Sequence, residues 1–345
     1  MTITAILDSY HDIGHKASIF FLPALKVSIE QSQKKQEKAF KENQMKIPKD
    51  QSSVYQWLRL DPMLISYVSC PEFLFLASQC ELEGNFNIKC HSYLDPIKFK
   101  LHIFYYQTFK SWLGHFLKRP KIHDLLSLHI EAQNNSEVSD IWQGKIWKNF
   151  KGNQEYPFLT KPGHLSFSLY AYWFNSFGNF SHTSRTGAII LASLNLPPEV
   201  HMNPENIYIP TIIQGSKEPN GEQLNYLLIP PFKELKELWK GIHFFPTRNS
   251  NSGETIPLAI FTVIGDIVAI RKITEFISNS GSGLCSFCTI HKDHIEDIET
   301  DIWPSRNLPS HKRYVDSWLN FSTVTEKASF FKEKGVGYSI LEDLP

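Results

Sequence analysis

The stretch Ser166-Phe-Ser-Leu-Tyr-Ala-Tyr-Trp-Phe-Asn-Ser-Phe-Gly-Asn179 decides how this chain is read. Ser166 to Trp173 is a run of aromatic and small residues, and Asn175, Gly178 and Asn179 supply turn chemistry directly after it. The segment therefore predicts a β-strand that runs into a polar loop. The next run, Ala188-Ile-Ile-Leu-Ala-Ser-Leu194 and on to Leu196, has the apolar density of a buried strand, and the Gly-containing loop between the two is of hairpin type. Ile207 to Ile213 predicts a third strand, and Leu258 to Ile264, starting just after Pro257, a fourth. Between them, Glu222 to Gly241 carries Leu224, Leu227, Leu228, Phe232, Leu235, Leu238 and Trp239 near helical spacing. Pro230-Pro231 interrupts that pattern, which predicts a broken helical passage closed by Gly241.

Three early strands, a helical passage and a further strand ending in Asp266 match an α/β fold of RNase H-like order, a mixed sheet with flanking helices, better than a parallel βαβ array. This core is expected over residues 140–306. Before it, residues 1–53 read as a helical and linker region, and residues 54–139 as a mixed helical region with Cys70, Cys80 and Cys90. The latter holds the aromatic stretch Phe104-Tyr-Tyr-Gln-Thr-Phe109 and a polar, helix-like run from Lys110 to His129. Residues 307–345 read as a C-terminal extension. There is no internal repeat.

With 345 residues, 42% hydrophobic and 13% aromatic, the chain can bury one large core or two modest ones. Thirty-five basic residues balance 35 acidic ones at a pI near 7.2, so any nucleic-acid contact must come from local patches. Ala17 to Ile29 is apolar but short and contains Pro23 and Lys26, so it predicts a helix and not a leader or a membrane span. From Ile29 to Lys49 the sequence turns to Gln, Glu and Lys, the composition of a solvated helix fading into a linker.

Five cysteines are too few for a disulfide scaffold and include one C-x-x-C, which favours reduced thiols or metal and a cytosolic or nuclear setting. Cys285-x-x-Cys288 follows Gly281-Ser-Gly283, and two thiolates three residues apart on a tight turn can chelate one Zn²⁺. His291 is a candidate third ligand. His294 continues the series, but four ligands this close would line one helix face and could not surround a metal. A pair of buried thiols is the competing reading. The acidic stretch Asp293, Glu296, Asp297, Glu299 and Asp301 reads as a solvated helix face. His129-Ile-Glu131 with Cys285-x-x-Cys288 superficially matches a zinc-deaminase signature, but Leu284 stands where that signature has proline.

Several strings in order carry a more specific resemblance: Phe167 to Asn179, Ile146-Trp-Lys-Asn-Phe-Lys-Gly152, Asn195-Leu-Pro-Pro198, Pro204-Glu-Asn-Ile-Tyr208, Ile213-Gln-Gly-Ser-Lys-Glu-Pro219, Phe232-Lys-Glu-Leu-Lys-Glu-Leu-Trp239, Cys285-Ser-Phe-Cys288 and Trp303-Pro-Ser-Arg306. The chain resembles the CACTA (En/Spm) transposase family, and its fungal branch most. The likeness is strongest from Asp140 to Arg306 and extends more weakly from about Tyr67 onward.

Such transposases are similar in design to RNase H-like nucleases, in which carboxylates on two neighbouring strands and a later helix hold two Mg²⁺ for in-line attack on phosphate. The resemblance places the first acid at Tyr172 and the second at Asp266, in Val263-Ile-Gly-Asp-Ile267. It places the third beyond Pro345. A tyrosine cannot replace a metal-bridging carboxylate, so the expectation is a degenerate copy whose Mg²⁺ site is lost and which does not cleave or join DNA. A zinc-binding, DNA-associated module is the alternative, and an active nuclease with a relocated third acid or a zinc deaminase ranks below it. By the same resemblance, Cys70-Pro-Glu-Phe73 with Cys80 and Cys90 looks like a cysteine ribbon that has lost one ligand to Phe73, with His91 or His102 as a replacement fourth ligand. The implied partners are transposon-end DNA or an intact transposase subunit; Lys98, Lys100, Lys110, Lys118, Arg119 and Lys121 are candidate DNA contacts, and the solvated side of a helix is the favoured reading of the same residues because the net charge is nil. The implied location is the nucleus.

Overall fold

In a computed structural model the chain is a mixed α/β protein. The structure describes residues 63–69, 76–78, 102–134, 137–152, 154–175, 185–215, 218–244, 252–278, 281–283, 285–294, 296 and 303–345. The strands are β1 (Leu64–Ser69), β2 (Leu76–Ser78), β3 (His102–Gln107), β4 (Leu165–Asn175), β5 (Arg185–Ser193), β6 (Ile207–Gly215), β7 (Ile242–Phe244), β8 (Glu254–Ile256) and β9 (Leu258–Gly265). The helices are α1 (Phe109–Leu117), α2 (Ile122–Ala132), α3 (Lys145–Asn149), α4 (Pro198–His201), α5 (Gly221–Lys240), α6 (Ile267–Ile273), α7 (Leu308–Asn320) and α8 (Val324–Lys334).

The central sheet has the order β6-β5-β4-β9. β4 pairs antiparallel with β5 and β5 antiparallel with β6, while β9 lies parallel to β4 on its other side. All four strands expected from sequence are present, each within a few residues of its expected bounds. A smaller antiparallel sheet, β2-β1-β3, stands beside β6, and Tyr208 reaches across to donate its hydroxyl hydrogen to the Gln107 carbonyl. The run from Lys110 to His129 is two helices and not one, divided at Lys118 to Lys121 around Pro120.

Helix α5 is the main correction to the sequence reading. It runs unbroken through Pro230 and Pro231, although proline removes an intrahelical hydrogen bond and crowds the preceding turn. Tertiary packing overrides that local cost. Leu224, Leu227, Leu228, Phe232, Leu235 and Leu238 are all buried against the sheet, each contributing about 1.5–3 kcal/mol of apolar burial. Both prolines are buried with them. The helix starts at a reciprocal capping box, in which Asn220 accepts from the Gln223 amide and the Gln223 side chain accepts from the Asn220 amide.

One hydrophobic core gathers Phe104, Phe109 and Trp112 from the β3–α1 region, Phe167, Leu169 and Ala171 from β4, the α5 leucines, and Ile340 near the C-terminus. A second cluster forms on Trp142, Trp147, Phe158 and Trp239, where the Phe158 and Trp239 rings stack 4.5 Å apart. The C-terminal segment is bound into the main body. Gly335, in the left-handed conformation at φ 72°, ends α8 and turns the chain back. Val336 then bridges Phe276, Ser339 donates to the Ile273 carbonyl, and Asn225 of α5 bonds both Tyr338 and Ile340.

Candidate functional site

The alternation along β4 sends Phe167, Leu169 and Ala171 into the main core and leaves Tyr170 and Tyr172 on the opposite face. Across the parallel seam, Tyr170 pairs with Ile264 and Ala171 with Gly265. Tyr172 and Asp266 therefore stand one residue further on, at the same end of two adjacent strands. The backbones meet closely there, since a Cβ on Gly265 would lie 2.9 Å from the Ala171 carbonyl oxygen. Glycine is what lets β9 end against β4 at this point.

Tyr172 is 40% exposed, with its ring stacked on that of Tyr170 at 6.2 Å and 11°. Asp266 is exposed and caps α6, its Oδ1 accepting a 2.8 Å hydrogen bond from the Ala269 amide. The rim is apolar: Ile264, Ile267 and Val268 are all exposed. Hard divalent cations require several oxygen ligands and negative charge. This pair of strand ends offers one carboxylate, already engaged in a helix cap, and one phenol. Among the described residues no three His, Cys, Asp or Glu side chains stand close enough to hold a metal together. The residues at these strand ends do not fit a pair of Mg²⁺ ions.

Cys285 and Cys288 lie on a tight turn, where the Cys285 sulfur accepts from the amides of Phe287 and Cys288, both at 3.3 Å. Arg306 locks that turn from behind. Its Nε donates to the carbonyls of Cys285 (2.8 Å) and Cys288 (3.0 Å), and its Nη2 donates to that of Gly283. The Arg306 amide bonds the Phe287 carbonyl, the Thr289 amide bonds that of Pro304, and Cys288 bridges Ser305. Burial pushes the Cys285 thiol up, but hydrogen bonds from the Cys288 side chain and the two amides, with the Arg306 charge, hold it below the ordinary thiol range. Burial pushes the Cys288 thiol up. Of the acidic stretch, Asp297, Glu299 and Asp301 lie outside the described residues; Asp293 and Glu296 are exposed, and Lys292–His294 forms a single 3₁₀ turn after the cysteine loop. His291 Nδ1 lies 3.0 Å from the Asp293 carboxylate.

Of the basic residues expected to meet DNA, Lys98 and Lys100 lie outside the described residues, as do Cys70, Cys80 and Cys90. Lys110 is paired with Glu237 at 2.5 Å. Arg119 is a structural tie, its Nη1 donating to the Glu205 carbonyl and its Nη2 to Asn206 Oδ1, with the guanidinium over the Phe116 ring. Lys118 and Lys121 are exposed on the turn between α1 and α2. His129, with only 1% of its surface exposed, is a core histidine held by the Leu126 carbonyl and Asn195 and flanked by Trp142 and Trp147.

Two partnerships and one unusual backbone position escaped the sequence reading. Arg306 stands in a string quoted for family likeness, yet nothing local announces that it holds the cysteine turn. Glu234 caps a helix more than a hundred residues away in sequence, accepting from the Phe109 amide (2.7 Å), the Lys110 amide (3.1 Å) and the Tyr106 hydroxyl. Glu275 has φ 51°, a left-handed conformation unusual for a glutamate, and a largely buried carboxyl.

A sequence model described as Transposase family tnp2 matches residues 136–329, more than half of the chain. The match takes in β4 to β9, Tyr172, Asp266, the cysteine turn and Arg306. No curated protein matches the chain.

Proposed function

The chain belongs to the tnp2 transposase family, and on that premise we propose that it carries an RNase H-like core of the CACTA (En/Spm) type, fungal branch, which no longer cleaves DNA. The strand order supports the fold assignment: three consecutive antiparallel strands, then a fourth that joins the first in parallel. That connection brings the ends of β4 and β9 side by side, where two acids would share a metal pair.

The observation that carries the proposal is Tyr172 beside Asp266. A carboxylate bridges two cations with its two oxygens; a phenol has one oxygen and no second to offer. One carboxylate remains, and it is used by the α6 cap. Manganese titration followed by electron paramagnetic resonance tests this directly. The expected result is no Mn²⁺ site tighter than about 1 mM, with Asp266→Asn indistinguishable from the parent. Tight Mn²⁺ binding that Asp266→Asn abolishes would overturn the proposal.

The function left to such a core is binding: to duplex DNA bearing transposon ends, or to an intact transposase subunit, in the nucleus. Within the described basic set, Lys118 and Lys121 are the exposed pair that supports this second reading. Fluorescence anisotropy against duplex DNA over a salt series is the test. Binding whose log–log salt slope falls by about one for each of Lys118→Ala and Lys121→Ala supports a retained DNA surface. No binding by the folded chain leaves subunit pairing alone.

A further inference from the structure

We propose that the segment from Val336 to Asp343 is a pH-operated strap, held closed while the Glu275 carboxyl carries a proton and released when that carboxyl ionises.

The strap is fastened to three helices. At its root Val336 bridges Phe276, and the Gly337 amide donates to the Glu275 carbonyl at 2.9 Å. Ser339 donates to the Ile273 carbonyl of α6, and Asn225 of α5 accepts from the Ile340 amide while donating to the Tyr338 carbonyl. At the far end Glu342 pairs with His311 of α7 at 2.6 Å and Asp343 with Lys236 of α5 at 2.7 Å.

The Glu275 carboxyl is wedged between the root of the strap and the start of α5. A Cβ on Gly337 would lie 3.2 Å from its Oε2, and one on Gly221 would overlap its Oε1. The backbone at Glu275 is left-handed, at φ 51°, a conformation that a glutamate holds only where its surroundings impose it. No nearby cation is left for this carboxyl. From α5 it faces the like charge of Glu222. Lys272 of α6 is paired with Glu218 and lies over the Trp173 ring, and Arg271 has other partners. His311 of α7 is taken by Glu342, Lys334 of α8 by Glu333, and Lys236 by Asp343, which also accepts from the Tyr338 hydroxyl. Among the described residues nothing hydrogen-bonds to the Glu275 carboxyl or pairs with it. A largely buried carboxyl without a partner favours its neutral form. Burial, followed by the Glu222 charge, pushes it up to about 7.

Ionisation therefore drives the side chain toward water, and Gly337, bonded to the same residue, leaves with it. The closed strap keeps a proton that the open one releases near 4.5, so closure is strongest below that pH and weakens as pH rises toward 7. Opening bares Ile340, which is otherwise buried in the main core.

Hydrogen exchange of the full chain, followed by mass spectrometry from pH 5 to 8 and corrected for intrinsic exchange rates, tests the proposal. The expected protection of residues 336–343 falls by roughly three- to tenfold per pH unit up to about pH 7 and then levels off. The β4 amides should stay more protected than the strap by at least about a hundredfold throughout, which separates strap release from global unfolding. Glu275→Gln, which keeps the neutral shape, should hold the strap closed across the range. Glu222→Gln, at an exposed position, should narrow the response, and it keeps the test decisive if Glu275→Gln does not fold. Strap protection independent of pH in the parent, or exchange of the strap only together with β4, would overturn the proposal. So would a pH response that survives in Glu275→Gln, which would place the switch at His311 and Glu342 instead.

Discussion

Tyr172 and Asp266 stand near the C-terminal ends of two adjacent parallel strands, each one residue beyond the Ala171–Gly265 pair. In an RNase H-like reading this is where two acids meet a metal pair, and the chain presents a stacked phenol and a helix cap instead. The sheet is fully formed here, and the side chains at this position are one carboxylate and one phenol. Loss of a surface ligand costs folding almost nothing, whereas loss of a core strand would unfold the domain.

The seam between β4 and β9 is sensitive to side-chain size at Gly265. A methyl group there meets the Ala171 carbonyl at 2.9 Å, backbone against backbone, so neither partner can swing away. Gly265→Ala should lower unfolding free energy by about 1–3 kcal/mol in urea melts. Tyr172→Ala, at a half-exposed position on the same strand end, should change it by less than about 1 kcal/mol.

Glu234 stitches α5 to the start of α1. Thr108, at the N-cap position, makes no side-chain cap bond, and Glu234 takes over that role for two amides while accepting from Tyr106. Glu234→Ala leaves the Phe109 and Lys110 amides without their side-chain acceptor and should cost about 2–4 kcal/mol. Glu237→Ala removes only an exposed ion pair with Lys110 and should cost less than about 1 kcal/mol. Equal effects of the two variants would show that the cap contributes nothing.

Glu275 should make the fold less stable as pH rises from about 4.5 toward 7. Its side chain lies against Gly221 at the start of α5 and Gly337 of the C-terminal segment, and burial, followed by the Glu222 charge, pushes its carboxyl up to about 7. The unfolded chain loses this proton near the ordinary carboxyl value of 4.5 while the folded chain keeps it to about 7. Between those values the folded state binds more protons, so stability falls with rising pH, by about 3 kcal/mol for the full shift and less once solvent screening is counted. Glu275→Gln should flatten that slope and be the more stable protein at pH 8. A wild-type stability that rises from pH 5 to 7, matched by the variant, would contradict this account.

Much of the sheet was legible in sequence because each strand is an apolar run bounded by Pro, Gly or Asn. Ala188 to Leu194, for example, could be little else than a buried strand. Helix α5 was misread at Pro230 because a local rule about proline was applied without knowledge of the core that Leu227, Leu228 and Phe232 fill on either side. The adjacency of Tyr172 and Asp266 followed from family likeness, since no spacing in the chain relates positions 172 and 266. The Glu234 cap and the Arg306 clamp were invisible because their partners are carbonyls and amides, which every residue carries and no sequence marks.

The most direct test of the central claim is nicking of supercoiled plasmid by the purified chain in Mg²⁺ or Mn²⁺, with Asp266→Asn as control. Asparagine keeps a side-chain oxygen for the Ala269 amide, so the control should retain the α6 cap and the fold. The account predicts no nicking above background for either protein. Nicking by the parent that disappears in Asp266→Asn would contradict it, and would mean that an acid elsewhere in the chain does the work Tyr172 cannot.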